Sequence, residues 1–240
     1  RGWFEKFLSL PHGIPSHDTF RRVFCLLDPE AFEGAFMQWV AAISEASRGD
    51  IVAIDGKTLR RSLDRAKGGL PVHLVSAWSS ANGVTLAQRR VDQKSNEITA
   101  IPELLKLIDV TGSIVTIDAI GCQKEIAKNI REAGADYVLA LKLNHKDLYE
   151  DVKLYFEAEN GDKTSFSDAK RHATIDGEHG RLEERRYCIT DDIGWTGATA
   201  VWKDLKSIGM VEATREIDGK ISTERRYYLT SLGPDAKQFA

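Results

Sequence analysis

Two short apolar runs in this chain end in aspartate, and together they limit what it can fold into. Ile51, Val52, Ala53 and Ile54 lead into Asp55, Gly56 and Lys57, while Ile114, Val115, Thr116 and Ile117 lead into Asp118 and then the small residues Ala119 and Gly121. An apolar, largely β-branched run of this length reads as a strand buried on both faces. A carboxylate at the end of such a strand is costly to bury unless it is paired or coordinates a metal. Two carboxylates, each delivered by a buried strand and meeting at one point in space, would hold a divalent cation.

The surrounding elements follow from periodicity and turn chemistry. Residues 1–50 read as helical: Phe20, Val23, Phe24 and Leu27 share one helix face, and after Asp28-Pro29 so do Phe32, Phe36, Trp39, Val40 and Ile43. Such a pair is a helix-turn-helix reader of DNA or, more commonly, a small packing subdomain. Residues 72–79 and 84–91 are strand-like around Asn82-Gly83, a hairpin signal because both residues tolerate positive φ. With the Asp55 strand they predict an antiparallel meander. A helix follows over about 96–109 with Pro102 inside it, the alternative being a start at the proline itself. Then come the Asp118 strand (113–120), a helix at 123–133 closed by Gly134, and a strand from Tyr137 to Leu141 that ends at Lys142. Strand–helix–strand at this spacing predicts a parallel pair, and ligands of such sheets sit at the carboxyl ends of the strands, where Asp118 and Lys142 fall. After a charged helix (146–158), residues 160–232 turn β-rich, with a second hairpin signal at Asp218-Gly219 and a further strand at Arg181–Thr190.

Bulk composition narrows the class. At 240 residues, 42% apolar and 29% charged, the chain is an ordinary globular protein with enough sequence for a sizeable core. Its net charge of −3 creates no overall basic field. Basic residues instead come in pairs, Arg60-Arg61, Arg89-Arg90, Arg185-Arg186 and Arg225-Arg226, whose plain reading is solvated strand faces. Cys25, Cys122 and Cys188 lie far apart without metal-ligand spacing, which favours a reducing cytosol over a disulfide framework or a zinc site. No apolar run approaches the ~18–20 residues of a membrane span, and no signal peptide is visible. The chain begins at Arg1 and stops at Ala240 in mid-pattern, so one or both ends are expected to belong to something longer.

Three antiparallel strands, a helix, then parallel strand–helix–strand is the order of an RNase H-like core, in which the first and fourth strands each carry a metal-binding aspartate. Asp55 and Asp118 occupy those strands. Two Mg²⁺ (or Mn²⁺) ions ~4 Å apart would serve phosphodiester displacement there, because hard cations take carboxylate oxygens. The segments LPHGIPSHDTFRRVF (10–24), VAIDGKTLRRS (52–62), KSNEITAIPELL (94–105), VTIDAIGCQKEIA (115–127), YVLALKLNH (137–145), HGRLEERR (179–186) and ERRYYLTSL (224–232) are spread over nearly the whole chain. On these segments the chain resembles bacterial DDE-type insertion-sequence transposases, in the branch that includes the H-repeat-associated proteins.

The resemblance implies an α/β fold in four parts: an N-terminal helical segment (1–50), an RNase H-like catalytic core (51–159), a β-rich insertion (160–232) and the start of a C-terminal helix (233–240). It implies Asp55 and Asp118 as the first two members of a catalytic acid triad. The third, a glutamate on a helix after the ERRYYLTSL-type strand, is expected beyond residue 240, and Glu183, Glu184 and Glu224 do not occupy its context. The partners implied are DNA, both element ends and target, and a second copy of the protein on that DNA, in the bacterial cytoplasm. Lys57, Arg60, Arg61, Lys142, His179 and Arg181 are the candidate DNA-contacting residues; the plain alternative for the loop residues is solvated charge. Trp195 and Trp202 would stack on splayed bases or, more simply, pack a core. Two rival readings are a stand-alone RNase H-like nuclease and a catalytically inactive DNA-binding or assembly remnant.

Overall fold

The computed structural model describes residues 2–43, 49–59, 72–91, 97–161, 169–178, 181–217 and 219–240. Residues 1–43 form one compact unit and 44–240 another. In the first, α1 (His17–Leu26) starts where the Ser16 side chain accepts the Thr19 N–H at 3.3 Å. Helix α2 (Pro29–Ile43) starts where Asp28 accepts the Ala31 N–H at 2.9 Å, with proline at a first-turn position that needs no N–H. Phe24 and Phe32 meet edge to face, ring centroids 5.8 Å apart.

The second unit is built on one mixed sheet. Its strands are β1 (Ile51–Thr58), β2 (His73–Ser79), β3 (Val84–Val91), β4 (Ile114–Ile117), β5 (Asp136–Leu141), β6 (Lys170–Glu178), β7 (Arg181–Thr190), β8 (Ser207–Ile217) and β9 (Lys220–Thr230), in the spatial order β3-β2-β1-β4-β5-β9-β8-β7-β6. Strands β1, β2 and β3 form the expected antiparallel meander, turning through Gly83 at φ 63°. Asp50 accepts the Ala81 N–H at 2.8 Å and so ties that turn to the start of β1. Strands β4 and β5 run parallel to β1, and β9 pairs antiparallel with β5, so the β-rich stretch continues the same sheet. The helices are α3 (Glu97–Leu105), α4 (Lys124–Glu132), α5 (Lys146–Gly161) and the short α6 (Ala236–Phe239). Among the described residues no helix is long and apolar enough to cross a membrane.

The two sheet faces differ, and the difference positions the site. Val52, Ile54, Val75, Ala77, Val115, Ile117, Tyr137, Leu139 and Leu141 are all buried on one face, where α3 packs on β2 and β3, α4 on β5, and α5 on β9. The alternate residues Ala53, Thr116, Val138 and Ala140 are only half-buried and line a cleft on the other face. This corrects the expectation that the aspartate-bearing runs are buried on both faces: Ile51 is 44% exposed while Val52 is 1%. Period-2 alternation decides burial here, although both faces are apolar in sequence.

Two boundaries also differ from expectation. Strand β1 does not end at Asp55 but runs on to Thr58, whereas β4 ends at Ile117 and Asp118 begins a 3-10 turn. Helix α3 starts at Glu97, as the 96–109 expectation has it, and keeps Pro102 inside it, so the alternative start at the proline does not hold. An internal proline costs about 3 kcal/mol. Ala100, Ile101, Leu104 and Leu105 are all buried, and fully burying a large apolar side chain returns ~1.5–3 kcal/mol, so packing outweighs the lost hydrogen bond.

Candidate active site

Parallel pairing sets Ile54 opposite Ile117, so Asp55 and Asp118 are the next residues on neighbouring strands, roughly 5 Å apart across the sheet. Both line one cleft of about 560 Å³ on the half-buried face. Asp55 is exposed and its side chain makes no hydrogen bond or ion pair with a described residue. Asp118 spends one oxygen, Oδ1, on the Ile120 N–H at 3.1 Å, capping the 3-10 turn Ala119–Gly121. Its capping role is therefore local and leaves Oδ2 to the cleft.

The loop carrying Asp118 is clamped from behind. Asn144 donates from Nδ2 to the carbonyls of Ala119 at 2.8 Å and Cys122 at 3.3 Å, and His145 Nε2–H donates to the Cys122 carbonyl at 2.7 Å. Burial pushes the Cys122 thiol up to about 12, so it packs as a neutral apolar group. Gly121 must be small, since a Cβ there would lie 2.2 Å from Ile117 Cγ2. Gly121→Ala is expected to destabilise the fold by about 1–3 kcal/mol through overpacking, read as a lowered thermal midpoint.

Asp55 is braced from the opposite face of its strand. His73 Nε2 donates to Glu97 Oε1 at 2.6 Å, and His73 Nδ1 lies 2.8 Å from the Thr58 hydroxyl, which it accepts from when the ring is neutral. The Glu97 carboxylate lies against β1 at Gly56, where a Cβ would be 2.1 Å from Oε1. Glycine beside the aspartate thus lets an acidic side chain seat directly on the strand.

The structure brings some of the expected residues together and not others. Lys142 lines the aspartate cleft, and Lys57, two residues beyond Asp55, shares its face of β1. Arg60, Arg61 and His179 lie outside the described residues, and Arg181 is described only as the first residue of β7. Trp202 is buried at 2% exposure, whereas Trp195 stacks on Tyr155 with centroids 5.3 Å apart. Sequence reasoning missed Arg185, Arg215, Arg226 and Glu224, which all line the same cleft. The signal was present in the Arg185-Arg186 and Arg225-Arg226 pairs, but only the strand register shows which member of each pair faces the aspartates. Among the described residues no group of three or more His, Cys, Asp or Glu side chains is arranged to hold a metal. Asp55 and Asp118 face one cleft as a pair of carboxylates.

Comparison with known proteins gives the relationship. Residues 46–240 match the family described as Transposase DDE domain, and residues 1–40 match the one described as DDE_Tnp_1-associated. An uncharacterized protein in the dhlA 3' region of Xanthobacter autotrophicus is 49% identical over 98% of this chain and 78% of its own length. "Putative transposase YncI" of Escherichia coli O157:H7 is 40% identical over 99% of this chain and 61% of its own length. "H repeat-associated putative transposase YhhI" of E. coli strain K12 is 35% identical over 99% of this chain and 64% of its own length. The chain thus spans less than two thirds of either E. coli relative.

Proposed function

The chain belongs to the transposase DDE domain family, and from that premise we propose that it carries the catalytic core of a DNA transposase. Phosphodiester hydrolysis and strand transfer would occur at Asp55 and Asp118. The observation that carries this reading is the matched register of the two aspartates at the head of one cleft. In support, the order β3-β2-β1-β4-β5, with β2 antiparallel and β4 and β5 parallel to β1, is that of an RNase H-like core. We read β6–β9 as the insertion appended to it.

The donor set fits a hard divalent ion, Mg²⁺ or Mn²⁺. Asp55 and Asp118 are oxygen ligands of full charge, and Oδ2 of Asp118 and both oxygens of Asp55 are not engaged by described residues. A second ion of a two-metal site would need a ligand beyond these two. When bound, such an ion supplies positive charge to a reacting phosphate and acidifies water. The protein's own residues do the rest. Lys57 and Lys142 flank the pair and would hold the phosphates next to the reacting one, while the two braces would steady the strand and the turn that carry the carboxylates. The complete protein would act on element ends and target DNA as an oligomer.

Calorimetric titration of Mn²⁺ into the chain tests the site. Saturable binding supports it; the absence of any binding heat overturns it in favour of a DNA-binding role without catalysis.

A further inference from the structure

The cleft floor extends well past the aspartates, and its charges are ordered. Pairing across β9, β8 and β7 sets Glu224 opposite Ala213 and Ala213 opposite Arg185, and Ser222 opposite Arg215 and Arg215 opposite Glu183. Directly opposed residues share a face, so Arg226, Arg215 and Arg185 lie on the aspartate side of the sheet together with Lys142. Arg186 and Arg225 lie on the other side, where they pair with Glu212.

The arginines are oriented rather than loose. Glu183, 3% exposed, pairs with the Arg185 guanidinium at 2.7 Å and accepts from Arg215 Nη2 at 3.4 Å. Glu224 takes Nε and Nη2 of Arg226 at 2.9 Å each. The Arg185 and Arg226 side chains are nevertheless 45% and 50% exposed. Each carboxylate thus holds a guanidinium that stays about half exposed to solvent. The Arg226 hydrogen bond, with lesser help from the charges of Arg215 and Lys142, holds the Glu224 carboxyl below the usual range.

Counting strands at ~4.8 Å and residues at ~3.4 Å, Arg226 lies roughly 12 Å from Asp118, and Arg185 and Arg215 both lie roughly 24–25 Å away. The cations therefore recede from the reaction point over a span of several nucleotides, at about 3.4 Å of axis per nucleotide of one strand. Guanidinium forks suit phosphate oxygens in two-point contacts.

We propose that the cleft face of β7–β8–β9 is a phosphate track, in which Arg226, nearer the aspartates, and the Arg185–Arg215 pair, farther out, bind backbone phosphates of the DNA whose reacting phosphate lies at Asp55 and Asp118. It rests on the transposase reading above. Glu224 occupies Arg226 until DNA arrives, so its carboxylate competes with the incoming phosphate.

The test measures binding of a fluorescein-labelled 30-base-pair mixed-sequence duplex across a KCl series in EDTA, for the parent chain and single variants. Arg226→Gln and Arg185→Gln are each expected to weaken binding and to flatten the slope of log K against log salt by roughly one, the loss of one phosphate contact. Arg185→Lys is expected to keep the slope, Arg186→Gln on the reverse face to change neither quantity, and Glu224→Gln to bind more tightly than the parent. Unchanged slopes in the cleft-face variants, equal losses on both faces, or weaker binding by Glu224→Gln would overturn the track. If the parent binds duplex and Mn²⁺ normally, only the track falls. No duplex binding by the parent would overturn the track and the transposase reading together.

Discussion

Asp55→Asn and Asp118→Asn are each expected to remove Mn²⁺ binding, and neither is expected to lower the thermal midpoint of the metal-free protein. The substitution keeps the shape of the side chain and deletes one negative charge. At an effective dielectric of about 20, opposite unit charges ~4 Å apart attract by about 4 kcal/mol. Losing one of two carboxylates from a shared ion therefore weakens binding by on the order of a thousand-fold. Without metal the sign reverses, because adjacent strands whose backbones lie about 5 Å apart present two like charges to one cleft, and neutralising either removes their repulsion. Midpoints measured with and without Mn²⁺ separate the two effects: the metal-induced rise of the parent should vanish in both variants. A variant that keeps the rise would show that the two aspartates do not share an ion. A variant that melts well below the metal-free parent would show that its carboxylate is structural.

The aspartate pairing was legible because both aspartates close apolar runs of the same length and character, and parallel register then sets them side by side. The turns at Gly83, Gly134 and Gly219 were legible for a local reason: each has positive φ, at 63°, 79° and 74°, and glycine adopts this without steric cost. What escaped the sequence is what depends on partners distant in the chain. The two apolar runs look identical on both faces, so burial of Val52 and not Ile51 is decided by helices more than forty residues away. Arg185-Arg186 and Arg225-Arg226 read as two surface pairs, but a strand sends successive side chains to opposite faces. One arginine of each pair joins the aspartate cleft and the other the reverse face. The alternative start of α3 at Pro102 fails because a proline signal is local, whereas the burial that overrides it belongs to the tertiary fold. Gly56 and Gly121 read simply as small residues, and their close contacts with Glu97 and Ile117 emerge only when the layers are packed.

Leu139→Ala is expected to destabilise the fold by about 2–5 kcal/mol, the range for truncating a fully buried leucine. Leu139 is 0% exposed and lies opposite Ile117 on β4 and Leu229 on β9, itself 0% exposed. It therefore sits at the joint between the strands that carry the aspartates and those that carry the arginine row. The same joint is fastened by polar contacts, with the Thr230 hydroxyl donating to the Tyr137 carbonyl at 2.7 Å and the Tyr137 N–H to Ser231 Oγ at 2.9 Å. A cavity at Leu139 leaves these hydrogen bonds in place and removes the apolar contacts that make the two halves one sheet. Domain stabilities are typically about 5–15 kcal/mol, so the loss is a large fraction of the total. Val138→Ala, one residue earlier but facing the half-buried cleft, is expected to lose less than about 1.5 kcal/mol. Urea unfolding of both variants checks the contrast, with midpoints moving and slopes unchanged. Equal losses at 138 and 139 would mean that both faces of β5 are equally packed, and the cleft would then have no open floor on which to receive DNA.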